Sequence, residues 1–168
     1  MGWVWLASTQ QDHLQAVSYL NKAIALNSKV GYYYRQRAFL YAALKNYSAA
    51  DNDYHRALKL YHEHSDVYED LANMYAEMQD DRLYAQTCDL RLSEMQKHLA
   101  RIEKFGQSKE GRPDSLYQLR ELIGYGHLTK ALHFIEKRNK PNIGCVDLAK
   151  AVAFDVEEAH DLQKKYCK

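Results

Sequence analysis

Apolar and polar positions recur along most of this chain at the three-to-four-residue interval of amphipathic helices. In QAVSYLNKAIALN, Ala16, Leu20, Ala23 and Ile24 share one face. AADNDYHRALKLY repeats the arrangement at Ala50, Tyr54, Ala57 and Leu58, 34 positions on (16 to 50, 23 to 57). Between the two, YYYRQRAFLYAALKNY places Tyr34, Ala38 and Tyr41 on one stripe, and a further step of 34 reaches Tyr68, Ala72 and Tyr75. A register kept over two steps predicts repeated helical hairpins. Small residues at Ala38, Ala50 and Ala57 let paired helices approach, and the aromatic side chains fill the holes beside them.

A helix–turn–helix period of 34 residues carrying these side chains resembles the tetratricopeptide repeat family. The resemblance implies an all-α fold, a right-handed superhelical stack of antiparallel helical hairpins. Its repeats fall at 1–30 (truncated), 31–64 and 65–105, the last with an extended second helix. The second repeat carries the family positions most fully, in Tyr34, Ala38, Tyr41, Tyr47, Ala50, Tyr54 and Ala57; the third keeps Tyr68, Leu71, Ala72 and Tyr75. Departures are plain. Arg37 stands where the family prefers leucine, so its guanidinium must reach water or a partner. Tyr84 and Arg91 replace two small residues, and Met1 falls inside the first helix of repeat one, as in a chain cut from a longer protein or one that begins with a stub helix of Trp3 and Trp5.

Beyond the third repeat the pattern loosens. Residues 106–114 form a polar connector, with Pro113 and Asp114 suited to opening a helix. Residues 115–140 read as a degenerate fourth hairpin, turning at Gly124–Gly126, with Ala131 in the small-residue position. Residues 142–166 read as one amphipathic capping helix, with Leu148, Val152, Val156, Ala159, Leu162 and Tyr166 inward. A detachable helix that docks on a partner is the alternative for this last segment.

Composition narrows the function more than the fold. The net charge of +1 gives no global attraction to nucleic acid or an anionic membrane. The charge is unevenly spread, however: residues 63–96 carry nine acids against two bases, and residues 97–140 carry ten bases against five acids. Three cysteines (Cys88, Cys145, Cys167) without CxxC spacing argue against a disulfide framework and for a reducing compartment. The opening MGWVWLAS lacks the basic residues and apolar length of a signal peptide. A cytoplasmic protein without membrane insertion is expected.

No catalytic constellation emerges. His62-Glu63-His64 lacks the spacing that places two imidazoles on one helix face, and Glu157 with His160 has no second Glu-x-x-His to face it. Phosphate-cradling glycine loops and nucleophile elbows are absent from the sequence. The expectation is a non-catalytic protein with no cofactor and no metal. RNA-binding repeats stand last among the alternatives, because Tyr34, Tyr41, Tyr47, Tyr54, Tyr68 and Tyr75 occupy packing positions.

The family resemblance implies a concave groove lined by the first helix of each repeat. Here that stripe is Tyr32, Arg35, Phe39, Ala42 and Ala43, then Asp66, Glu69, Asn73, Ala76 and Glu77, with Trp5 extending it. It grades from aromatic and basic to acidic, which suits a peptide segment with an apolar anchor and basic flanks. The family's carboxylate-holding chaperone-binding members need cations where this chain has Asp66 and Asp70, so that subclass is disfavoured. The expected role is a protein–protein interaction adaptor or scaffold. Small bacterial secretion chaperones and a self-associating repeat, joined through Trp3 and Trp5, are the alternatives.

Overall fold

The computed structural model of the chain describes residues 10–61, 65–105 and 113–167, and among them no strand occurs. Eight α-helices are described: α1 (Gln10–Leu26), α2 (Gly31–Ala43), α3 (Tyr47–Leu60), α4 (Ser65–Glu77), α5 (Asp81–Phe105), α6 (Pro113–Leu132), α7 (Pro141–Ala153) and α8 (Glu157–Tyr166). A π-turn, His133–Lys137, continues α6. No described helix is long and apolar enough to cross a membrane. The chain divides into two compact units, Met1–Tyr84 and Ala85–Lys168, with the boundary inside α5.

In the first unit α2 packs on α3 and α1, and α4 packs on α3 and α2. Ala38, Ala50 and Ala57 are fully buried, and Tyr34, Tyr54 and Tyr75 fill the space around them. The 34-residue step returns in the backbone. After α2, Leu44 N–H donates to Leu40 O, Lys45 to Ala42 O and Asn46 to Tyr41 O; after α4, Met78 donates to Met74 O, Gln79 to Ala76 O and Asp80 to Tyr75 O. Lys45 and Gln79 (45 to 79) both take positive φ, 60° and 59°. The next residues, Asn46 and Asp80, cap the following helices by accepting from Ala49 N–H at 3.3 Å and Leu83 N–H at 2.9 Å. Two turns with the same hydrogen bonds, the same left-handed residue and the same cap type make one structural unit used twice.

Arg37 finds both a partner and a surface. Its Nε and Nη2 donate to Asp53 Oδ2 and Oδ1 at 2.6 and 2.8 Å, and its Nη1 donates to Asn21 Oδ1 at 2.7 Å. The guanidinium carbon lies 5.6 and 5.8 Å from the Tyr34 and Tyr41 ring centres. Three helices meet around this one cation.

In the second unit three expectations are corrected. The glycines at 124 and 126 do not turn the chain: α6 runs straight through them, and no described glycine has positive φ. Their missing side chains serve packing. A Cβ at Gly124 would sit 2.5 Å from Val156 Cγ2, and one at Gly126 2.7 Å from Leu92 Cδ2. The expected single helix over 142–166 is two, because Asp155 at φ 60° closes α7 and reverses the chain into α8. Val156 N–H then donates back to Ala151 O. Finally, Cys145 and Cys167 form a disulfide with Cα atoms 5.7 Å apart, contrary to the expectation of reduced cysteines. Spacing along the sequence did not show that the reversal at Asp155 brings them together.

The second unit's core has α6 and α7 in near backbone contact. A Cβ on Gly144 would lie 2.7 Å from Ala131 O and 2.5 Å from Ile135 Cγ1. Around this crossing Leu128, Ala131, Leu148, Ala151 and Ala159 are buried together. A second cluster joins Leu92, Met95 and Leu99 of α5 to Ile123 of α6.

Candidate partner-binding groove

Two helices of the first unit present parallel stripes. On α2 and the turn after it stand Arg35, Phe39, Ala42, Ala43 and Lys45; on α4 stand Asp66, Asp70, Asn73, Met74 and Glu77. A hollow of about 180 Å³ lies between them, lined by Phe39, Ala42, Ala43, Lys45, Tyr54, Asp70, Asn73, Met74 and Glu77. The buried Tyr54 ring comes from α3, and Phe39 lines the hollow while remaining 44% exposed. A half-exposed Phe beside two alanines and a methionine makes an apolar seat with a polar edge.

Ion pairs between the two helices bound the stripes. Arg35 Nε lies 2.6 Å from Asp70 Oδ2, and its Nη1 lies 3.2 Å from Asp66 Oδ2. The hydrogen bond to Asp70 outweighs burial and raises the Arg35 pKa above its ordinary value. Further along, Lys45 Nζ meets Glu77 Oε2 at 3.1 Å and lies 5.7 Å from the Tyr47 ring centre. The basic end expected at Arg35 is therefore closed by two carboxylates. With Glu69 exposed nearby, α4 carries Asp66, Glu69, Asp70 and Glu77 against Arg35 and Lys45 on the α2 side, an excess of negative charge that gathers around Arg35.

Of the residues singled out from sequence, Phe39, Ala42, Ala43, Asn73 and Glu77 line the hollow, and Arg35 and Asp66 form the adjoining ion pairs. Tyr32 and Glu69 are exposed but do not line it, and Tyr32 instead sets its ring edge-on to Tyr33. Trp5, with Trp3, lies outside the described residues. Sequence reasoning did not place Lys45, Tyr54 or Met74 in the site, and named Asp70 only as a position that disfavours the carboxylate-holding subclass. Asp70 and Met74 were within reach, since they sit one helical turn from Asp66 and from Asp70 respectively. Lys45 belongs to a turn and Tyr54 to the second helix of the hairpin, where a stripe on first helices does not look.

The second unit holds a buried polar network that also escaped the sequence reading. His127 and Lys130, one turn apart on α6, meet Asp147 of α7. His127 Nδ1 donates to Asp147 Oδ1 at 2.8 Å, while Lys130 Nζ lies 3.2 Å from Asp147 Oδ2 and 2.5 Å from Asp89 Oδ1. The Lys130 and Asp147 side chains are only 7% and 4% exposed. Burial works against both charges. For Lys130 the Asp89 hydrogen bond and the Asp147 charge overcome it, and its pKa is raised. For Asp147 the His127 hydrogen bond and the Lys130 charge do the same, and its pKa is lowered. His127 stacks on Phe154 with its Nε2 buried and without a hydrogen-bond partner. Among the described residues its hydrogen-bond partner is Asp147, and the network joins α5, α6 and α7.

No family model, no curated protein and no solved structure matches this chain, so its functional reading rests on its own residues and geometry.

Proposed function

We propose that the first unit is built of tetratricopeptide-type hairpins, stacked as a right-handed solenoid. In this reading it is a non-catalytic adaptor that holds an extended segment of another protein between α2 and α4. The observation that carries the proposal is the hollow itself. Its volume of about 180 Å³ is smaller than the ~300–1,000 Å³ of small-molecule sites, and suits one large apolar side chain of a peptide. The 34-residue recurrence of the turns and caps, with buried Ala38 and Ala72 one step apart, supports the hairpin assignment. The four carboxylates of the α4 stripe, against two cations on the α2 side, favour a segment with Lys or Arg beside its anchor.

A displayed random-peptide library panned on the full chain tests this. Enriched sequences are expected to share a Leu, Ile, Met or Phe flanked by basic residues. Phe39→Ala, at a half-exposed position that leaves the core intact, is expected to weaken them by roughly tenfold or more, the scale of a central aromatic contact. Peptides that bind wild type and Phe39→Ala equally well place recognition elsewhere. Enrichment of acidic peptides contradicts the charge assignment while leaving the hollow in use.

A further inference from the structure

We infer that the Cys145–Cys167 bond is a redox staple: oxidised, it fixes α8 as a cap on α6 and α7; reduced by a dithiol, it lets α8 swing away. The inference is independent of the groove in the first unit. It rests on how little else holds this helix.

α8 has ten residues, fewer than the ~12–15 at which an isolated helix becomes even marginally stable in water. Its helical state therefore depends on docking. Ala159 is its one buried residue, following the buried Val156 at its N-cap, while Leu162 and Tyr166 are only partly covered by the Leu128–Ala131–Leu148–Ala151 cluster. The rest of α8 is largely charged and exposed, with Glu157, Glu158, Asp161, Lys164 and Lys165 facing water. α7 is held differently. Gly144 brings it against the α6 backbone, Leu148 and Ala151 are fully buried, and Asp147 ties it to His127 and Lys130.

The staple closes where it matters mechanically. One end of α8 is fixed by the chain reversal at Asp155 and Val156. The other end is fixed by Cys167, immediately after Tyr166, bonded back to Cys145 near the start of α7. Both cysteines are partly exposed, within reach of a small thiol. A thiolate of the dithiol attacks one sulfur, and the other cysteine leaves as a thiolate and takes a proton. The second thiol of the reductant then releases the first cysteine. Two electrons and two protons reach the chain, and the dithiol ends as a disulfide. α8 then remains attached through residues 154–156 alone.

Closing a 22-residue separation shifts a local opening equilibrium by roughly a hundredfold in the chain-entropy picture. Hydrogen exchange followed by mass spectrometry on the full chain reads this directly. With dithiothreitol as the probe, amides of 157–166 are expected to exchange roughly a hundredfold faster, while those of α6 and α7 keep their protection. Cys145→Ser and Cys167→Ser are expected to show the fast pattern without reductant and to ignore it when added. Cys88→Ser is expected to respond to reductant as wild type does. Unchanged exchange in 157–166 overturns the proposal, as does an equal acceleration across α6, α7 and α8. Three free thiols in the chain after incubation in a glutathione redox buffer overturn it too.

Discussion

Asp147→Ala is expected to cost the fold about 3–5 kcal/mol, the range for removing one partner of a buried ion pair. Lys130 would keep Asp89, but that carboxylate is 57% exposed and lies on the solvent side of the network. The His127 ring, already without a partner at Nε2, would lose its acceptor at Nδ1 as well. One substitution would strand the His127 ring and leave the buried Lys130 with only an exposed partner, which is why this effect should exceed that of a surface charge. Asp89→Ala, by contrast, is expected to cost less than about 1 kcal/mol, as exposed ion pairs do. Urea denaturation of the purified variants gives both numbers.

The pH dependence carries the same signature. Asp147 has a lowered folded-state pKa, so its contribution is complete above the ordinary carboxylate value of ~3.9 and is lost as pH falls through the folded pKa. Lys130 has a raised one, so its contribution is complete below ~10.4 and is lost as pH rises through the folded pKa. Stability should therefore decline at both extremes, and a Lys130→Met/Asp147→Leu variant should lose part of both limbs. An Asp147→Ala cost below about 1 kcal/mol at neutral pH would contradict the buried network.

The second large effect concerns Arg37. The pair with Asp53 is bidentate, and the two side chains are 18% and 9% exposed. Asp53→Ala is expected to cost about 3 kcal/mol, the lower end of the buried-pair range because Arg37 keeps Asn21 and some water. Arg37→Leu is also expected to destabilise, because it leaves the Asp53 carboxylate buried alone. The double variant Arg37→Leu/Asp53→Ala should recover to within about 1 kcal/mol of wild type, with a coupling of at least about 2 kcal/mol in the double-mutant cycle. Additive losses would mean that the two groups act separately. The Tyr34 and Tyr41 rings that flank the guanidinium would then supply most of its stabilisation.

These two clusters mark the limits of what the sequence made legible. The all-helical class was readable, because it follows from periodicity and from small residues recurring at fixed steps. The same step of 34 reappears in backbone hydrogen bonds that no residue-type pattern displays. Arg37 was visible as an anomaly, but its partner Asp53 was not, because they come together only when α2 and α3 pack. Gly124 and Gly126 were misread because a glycine signals a turn and a close helix contact equally well; only the neighbours Val156 and Leu92 decide between them. Asp155 was overlooked because a left-handed residue other than glycine leaves little trace in composition. The disulfide and the Asp147 network followed from that miss and from the α6–α7 contact at Gly144. In the groove, the stripe on α2 and α4 was legible at Phe39, Asn73 and Glu77. The closure of Arg35 by Asp66 and Asp70 required the distance between helices.

The groove is tested most directly by site-specific photo-cross-linking in the cells that make the protein. A photoreactive residue is placed at Ala43, which lines the hollow, and in a control at Asn52, exposed on α3 two positions before Tyr54 and so on the opposite side of that helix. Adducts to another polypeptide from position 43, absent from position 52 and abolished by adding Phe39→Ala, are the predicted result. Adducts from position 52 alone, or from position 43 undiminished by Phe39→Ala, would contradict recognition between α2 and α4.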